Sequence, residues 1–323
     1  MSVLTVAKLH AESVAYYEST VDVSGGVDGY YSEDGRQPAR AWVTGESAGA
    51  VDAISGQLGV EPGMVVDGAG VRSWFNGAVG PSGVKLGRAP GSRGVPGYDL
   101  AFCAPKSVSI VWGLTDDEDV RAAVDRAHAA AVASGMDYLT THAGYTRRAS
   151  RDDPSVMVIE SLPGLSGVRY EHRTSRAGDP HVHSHVLLSN KQLCRDGKFR
   201  TIDGTSVYHE LRAAGMVYQA HLRAELTAAL GVRWGEIVNG CAEIVGLDDP
   251  EFIRGFSTRA SEIDAWRQAQ GVGDDEHRSE VMNRLFARLG QKTTRRRKDV
   301  DTPLAELQAQ WAGSAVPVDV YPR

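Results

Sequence analysis

The stretch "HRTSRAGDPHVHSH", His172 to His185, holds four of the chain's ten histidines and sets His181, His183 and His185 at alternate positions. A strand places residues i, i+2 and i+4 on one face, so this spacing points three imidazoles the same way. Two rings about 7 Å apart along a strand can reach one ion between them, and a third ligand must then come from a neighbouring strand. His172, at the end of the preceding predicted strand and separated from the others by a "DP" turn, is placed to supply it. Three histidine ligands leave positions open for water or substrate, as a catalytic metal requires and a closed structural site does not. The fold must therefore contain adjacent strands that bring these rings together.

The rest of the pattern supplies such a sheet. "YDLAFCA", Tyr98 to Ala104, alternates, with Asp99, Ala101 and Cys103 on one face and Leu100 and Phe102 on the other. Strands are expected at 156–162, 167–172 and 181–190, the first two separated by a "PGLSG" turn. A hairpin is expected from "VRWGEIV" and "CAEIVG". Helical character runs over 8–18, 46–58 and 62–77. A long Ala-rich helix covers 116–148 with Thr115 as its cap, and a second long helix covers 204–230. Beyond Asp248 the pattern is helical throughout, at 250–254, 258–270, 274–289 and 304–311. This order predicts an α+β fold: an antiparallel, palm-like sheet with helices packed on it as a two-layer sandwich, followed by an all-helical C-terminal tail.

Composition narrows the class. At 323 residues, 42% apolar and 24% charged, the chain can bury a full core, and neither disorder nor a fibrous repeat is expected. The N-terminus has no secretion-signal pattern, and no stretch reaches the ~18 to 20 apolar residues that span a bilayer, so a cytoplasmic protein without membrane insertion is expected. Cys103, Cys194 and Cys241 form no C-x-x-C pair, which leaves histidine and carboxylate as the metal donors. The net charge of −6 argues against non-specific coating of nucleic acid. Positive charge is nevertheless concentrated locally, at Lys85, Arg88, Arg93 and Lys106 and in "KTTRRRK".

Metal-bound histidines commonly have their second ring nitrogen held by a carboxylate, and Asp99 is a polar residue in an otherwise apolar strand. Two Tyr-Tyr pairs, Tyr16-Tyr17 and Tyr30-Tyr31, flank a turn-rich loop. A tyrosine, with its pKa of ~10, becomes a nucleophile only beside a cation that stabilises the phenolate. A metal held by neutral imidazoles keeps its full charge for that purpose.

Taken together, the two "YY" pairs, "PGYDLAFCAPKSVSIVWGL", "EHRTSRAGDPHVHSHVLLSN", "FSTRASEIDAW" and "TTRRRKDVDTPLAELQAQW" resemble the TraI/TrwC-type (MobF) conjugative relaxases, members of the HUH endonucleases. The resemblance implies a single relaxase domain over 1–323, with a catalytic α+β core at 1–247 and a helical lid or linker at 248–323. It also implies that the helicase such proteins carry lies outside these residues. The implied activity is metal-dependent nicking and rejoining of single-stranded or hairpin DNA at a plasmid origin of transfer, through a 5'-phosphotyrosyl intermediate. The implied ligands of one divalent ion (Mg, Mn, Zn or similar) are His172, His183 and His185, with Asp99 orienting a ligand histidine. "HVH" and "HSH" compete for the pairing, and the spacing from His172 favours the second, leaving His181 outside the ligand set. Tyr16 would be the first nucleophile and Tyr30 the second. Lys106, Arg88 and Arg93 would meet phosphates. Implied partners are relaxosome accessory proteins and a type IV coupling protein, with the enzyme a monomer on DNA.

Three other readings share parts of this pattern. A rolling-circle replication initiator would use the same chemistry at a replication origin. A non-covalent metallohydrolase would activate water and release a free 5'-phosphate. An origin-binding module with a structural ion would bind DNA without cutting it.

Overall fold

The structure, a computed structural model, describes residues 4–12, 14, 38–150, 152–270, 289–290, 293–294 and 304–314. Its centre is a five-stranded antiparallel sheet of β1 (Leu4–Lys8), β2 (Arg40–Gly45), β3 (Gly97–Cys103), β6 (Gly164–Thr174) and β7 (Pro180–Ser189), ordered β1-β3-β7-β6-β2. The predicted α+β architecture is therefore the observed one. β4 (Tyr145–Ala149) pairs with β5 (Met157–Ser161), and β8 (Lys191–Leu193) with β9 (Phe199–Thr201), as two small ribbons beside the sheet.

Alternation along the central strands divides the core in two. Leu100 and Phe102 of β3 and Val182, Val186 and Leu188 of β7 face the long helices Glu118–Ala143 and Gly204–Leu230 in one apolar cluster. Val168 and Tyr170 of β6 and Leu187 of β7 face the other way, onto the shorter helices Ala48–Leu58 and Gly68–Gly77. These shorter helices start at Ser47 and Asp67, whose side chains accept the backbone N–H of Ala50 and Gly70, as N-caps do. They cover one end of that face, and the histidines of β6 and β7 lie at the other.

Several local expectations are corrected. The helix expected over 116–148 spans 118–143 and is capped by Asp117, because that carboxylate accepts the N–H of Asp119 and Val120 while Thr115 Oγ1 accepts only that of Asp117. Its expected last turn is β4, built from Tyr145 and Thr146, which favour a pleated backbone. The turn expected at "PGLSG" is mostly strand, because β6 starts at Gly164; β5 pairs back to β4, and β6 lies between β2 and β7. The "VRWGEIV"/"CAEIVG" hairpin is reduced to two isolated bridges, Trp234 with Ile244 and Val238 with Cys241. Of the helix expected over 8–18, Lys8 instead ends β1 and residues 13 and 15–18 lie outside the described residues, as does the helix expected over 274–289 except for Leu289.

Of the C-terminal helices, Pro250–Gly255, Thr258–Ala269 and Leu304–Ser314 are described. Trp311 packs with Ile110 and Phe256, and its indole N–H donates to the carbonyl of Gly178 at 2.8 Å. The Thr258 hydroxyl donates to Asp179 at 2.7 Å. The C-terminal helices thus grip the turn that joins β6 to β7. Among the described residues no helix is long and apolar enough to cross a membrane.

Candidate metal centre

Register assembles the site. His172 of β6 stands directly opposite His183 of β7, and Tyr170 opposite His185, while on the other side of β7 Ala101 and Cys103 of β3 face His185 and His183. Cross-strand partners in an antiparallel pair have Cβ atoms about 4.5–5.5 Å apart and on the same face. The three rings therefore meet: centroids are 5.0 Å apart for His172–His183, 5.4 Å for His172–His185 and 5.2 Å for His183–His185. One nitrogen from each lies within 4.8 Å of the others.

Outer contacts set the ring orientations. His185 Nδ1 donates to Asp99 Oδ1 at 2.7 Å, and His183 Nδ1 donates to the carbonyl of His181 at 2.8 Å. Carbonyl and carboxylate oxygens only accept, so each Nδ1 carries the proton and each Nε2 keeps its lone pair for an ion. Loss of solvent holds His183 well below the usual imidazole range, and the neighbouring histidines add to this. His181 is pushed down to about 3 by burial first, then by the charge of Lys106. Neutral imidazole is the form that binds metal. The donor set thus fits one divalent ion, with coordination positions left over.

His181 stacks on His183 at 4.4 Å and lies outside the triad, contributing its carbonyl to His183. Cys103 faces His183 across the strands, but burial, with the charge of Asp99 adding to it, pushes its thiol up to about 12, so it offers no thiolate.

Of the other residues singled out by sequence, Lys106 is 4% exposed, and its ammonium donates to the carbonyl of Pro180 at 2.9 Å instead of reaching solvent. Arg88 and Arg93 are exposed in the loop before β3. Arg88 lines an open pocket of about 260 Å³ with Phe75, Asn190 and Lys191, beyond the C-terminal end of β7 and away from the histidines in its first half. Tyr16 and Tyr30 lie outside the described residues.

Sequence reasoning missed the polar groups beneath the site. On the helix side of the same strands Arg173 pairs with Asp125 and Glu171, and His128 bonds to Ser184. The signal was the alternation of Arg169, Glu171 and Arg173 in β6, charged residues on the face that packs on two long helices.

A family model for the TrwC relaxase matches residues 10–318. The multifunctional conjugation protein TraI of Escherichia coli is 30% identical over 238 residues, which is 70% of this chain and 12% of that protein. The chain therefore spans about an eighth of the length of this curated relative. Among solved structures, the copper-bound conjugative relaxase TrwC in complex with oriT DNA superposes with a TM-score of 0.75 at 25% identity, covering 96% of this chain and 97% of the other. TrwC complexed with a 27-mer DNA comprising the recognition hairpin and the cleavage site gives 0.72 at 23% identity, covering 96% of each.

Proposed function

The chain belongs to the TrwC relaxase family, and from that premise we propose that it nicks and rejoins one strand at a plasmid origin of transfer by tyrosine transesterification. The observation that carries this reading is the triad of His172, His183 and His185, with two of its rings pinned by Asp99 and the His181 carbonyl. These three histidines would hold one divalent ion, which supplies positive charge to a phosphate oxygen and to a phenolate.

Tyr16 is assigned as the first nucleophile. Its Oη forms a bond to the scissile phosphorus, the bond from phosphorus to the 3' oxygen breaks, and the phenolic proton leaves so that a 3'-hydroxyl is freed. The phosphodiester energy is retained in the 5'-phosphotyrosyl link, so rejoining needs no ATP. Tyr30 is assigned to the closing transfer. Asp99 holds His185 in the tautomer that presents Nε2, an outer-shell role. Arg88 and Arg93 are assigned to backbone phosphates of the single strand or hairpin. Lys106, with its ammonium bonded to Pro180, would act by its field on His181 and by holding the start of β7. Residues 1–247 would form the catalytic core and 248–323 the lid over bound DNA. The protein would work in the bacterial cytoplasm as a monomer on DNA, with accessory proteins and a coupling protein, and travel with the strand.

The test is covalent capture. The chain is incubated with a divalent metal and single-stranded oligonucleotides tiling the DNA around its own gene, then digested for mass spectrometry. A nucleotide adduct on the Tyr16 peptide, absent with EDTA and in Tyr16→Phe, is the expected result. Cleavage to a free 5'-phosphate with no adduct would instead indicate a water-activating metallohydrolase.

A further inference from the structure

Arg173 follows the ligand histidine His172 and stands where the pairing of β6 with β7 shifts register, between His172 and Thr174. An extra residue in one strand of an antiparallel pair bends that strand and re-aims its neighbours. Because His172 pairs with His183 and Thr174 with Pro180, the extra residue lies in β7, opposite Arg173, and Arg173 itself is tied down on several sides. Its guanidinium donates to the carbonyl of His172 at 3.2 Å and to the carboxylate of Glu171 at 3.0 Å, and it pairs with Asp125 of the helix 118–143 at 2.8 Å. It is 5% exposed and sits 5.7 Å from the centre of the Trp112 ring. Glu171 is held in turn by Arg169 at 2.7 Å. Beside them Ser184, midway between His183 and His185, bonds to His128 Nε2 at 2.8 Å.

Such a cluster is a poor way to gain stability. Desolvation of a buried ion pair offsets most of its attraction, and apolar replacements are often neutral or stabilising. What the pair does supply is direction, because a planar guanidinium bonds in a fixed fork. One arm grips the backbone of a ligand residue and the other reaches a carboxylate anchored on a long helix.

We propose that the Asp125–Arg173 pair is a positioning device that holds the end of β6 against the β7 bulge and aims His172 at the metal. The inference rests on reading His172, His183 and His185 as a metal centre. It assigns Arg173 and Asp125 no contact with the ion or the DNA.

The test uses the full chain in wild-type form and as Arg173→Gln, Arg173→Lys and the double variant Asp125→Asn/Arg173→Gln. Each is titrated with Zn²⁺ by calorimetry and melted without metal. Arg173→Gln alone leaves a carboxylate buried without its partner, so both melting temperature and affinity should fall. The double variant leaves no unpaired charge and should melt near the wild type, yet bind Zn²⁺ about ten- to a hundredfold more weakly, the range seen when outer-shell partners are lost. Arg173→Lys keeps the charge without the fork and should show a smaller loss of affinity at a preserved melting temperature. Wild-type affinity in the double variant overturns the inference; should the double variant not fold, wild-type affinity in Arg173→Lys does so. A wild-type chain that binds no Zn²⁺ overturns the metal-centre reading, and this inference with it.

Discussion

Asp99 and His128 are single residues on opposite faces of the sheet, and each makes a distinct prediction. Asp99 holds the Nδ1 of His185, so Asp99→Ala frees that ring to rotate and to protonate either nitrogen. Metal affinity measured by calorimetry should drop about ten- to a hundredfold, while the fold should persist. His128 is 1% exposed with both nitrogens bonded, to Tyr218 and Ser184. Burial, then the charges of Arg173 and Arg169, holds it neutral well below its usual range. A base whose folded pKa is depressed binds fewer protons folded than unfolded, so its contribution to stability is present above the unfolded value near 6.5 and is lost as pH falls below it. His128→Gln, compared with wild type by urea unfolding between pH 7 and 5, should remove up to ~1.4 kcal/mol per pH unit of the acid slope. An unchanged slope would show that His128 binds as many protons folded as unfolded, which contradicts its being held neutral by burial. Asp99 was legible in sequence as a polar residue in an apolar strand. His128 was not, because one histidine in an Ala-rich helix carries no mark of what lies across from it.

At the scale of elements, the close approach of β6 to β7 makes the site. Gly167 is paired with Leu188, and a Cβ there would lie 2.0 Å from the carbonyl oxygen of Leu187, a backbone atom that cannot step aside. Gly167→Val should therefore spread the two strands, costing about 1–3 kcal/mol by overpacking and weakening metal binding through the changed His172–His183 separation. Denaturant midpoints and Zn²⁺ titration on the same variant check both. β7 was readable because its histidines alternate with Val182, Ser184 and Val186 over six residues, and β3 because Leu100 and Phe102 alternate with Asp99, Ala101 and Cys103. The edge strands escaped notice for physical reasons. β1 and β2 are five and six residues long, and β4 directly follows a 26-residue helix whose Ala-rich pattern runs up to it. Pairing partners are non-local, so "PGLSG" read as a turn although Gly164 to Gly167 open β6 and pair with β2.

For the molecule as a whole, one sheet separates two apolar clusters and keeps a polar corner at one end of one face. The long helices stiffen the sheet from beneath, the two short helices close the far end, and Trp311 holds the β6–β7 turn from outside. A chemical site fixed by strands on such a support needs no loop to order it before the ion binds. The α+β class and the three histidines that cluster could be read from alternation and from family resemblance. The orientation of the rings could not, since it depends on a backbone carbonyl and on a bulge. The most direct check is X-ray absorption at the zinc edge on the full chain loaded with one equivalent of Zn²⁺. Three imidazole nitrogens at about 2.0–2.1 Å with oxygen completing the shell are expected. A spectrum fitted by fewer than three imidazoles, or by sulfur at about 2.3 Å, would contradict the claim that strand register gathers His172, His183 and His185 around one ion.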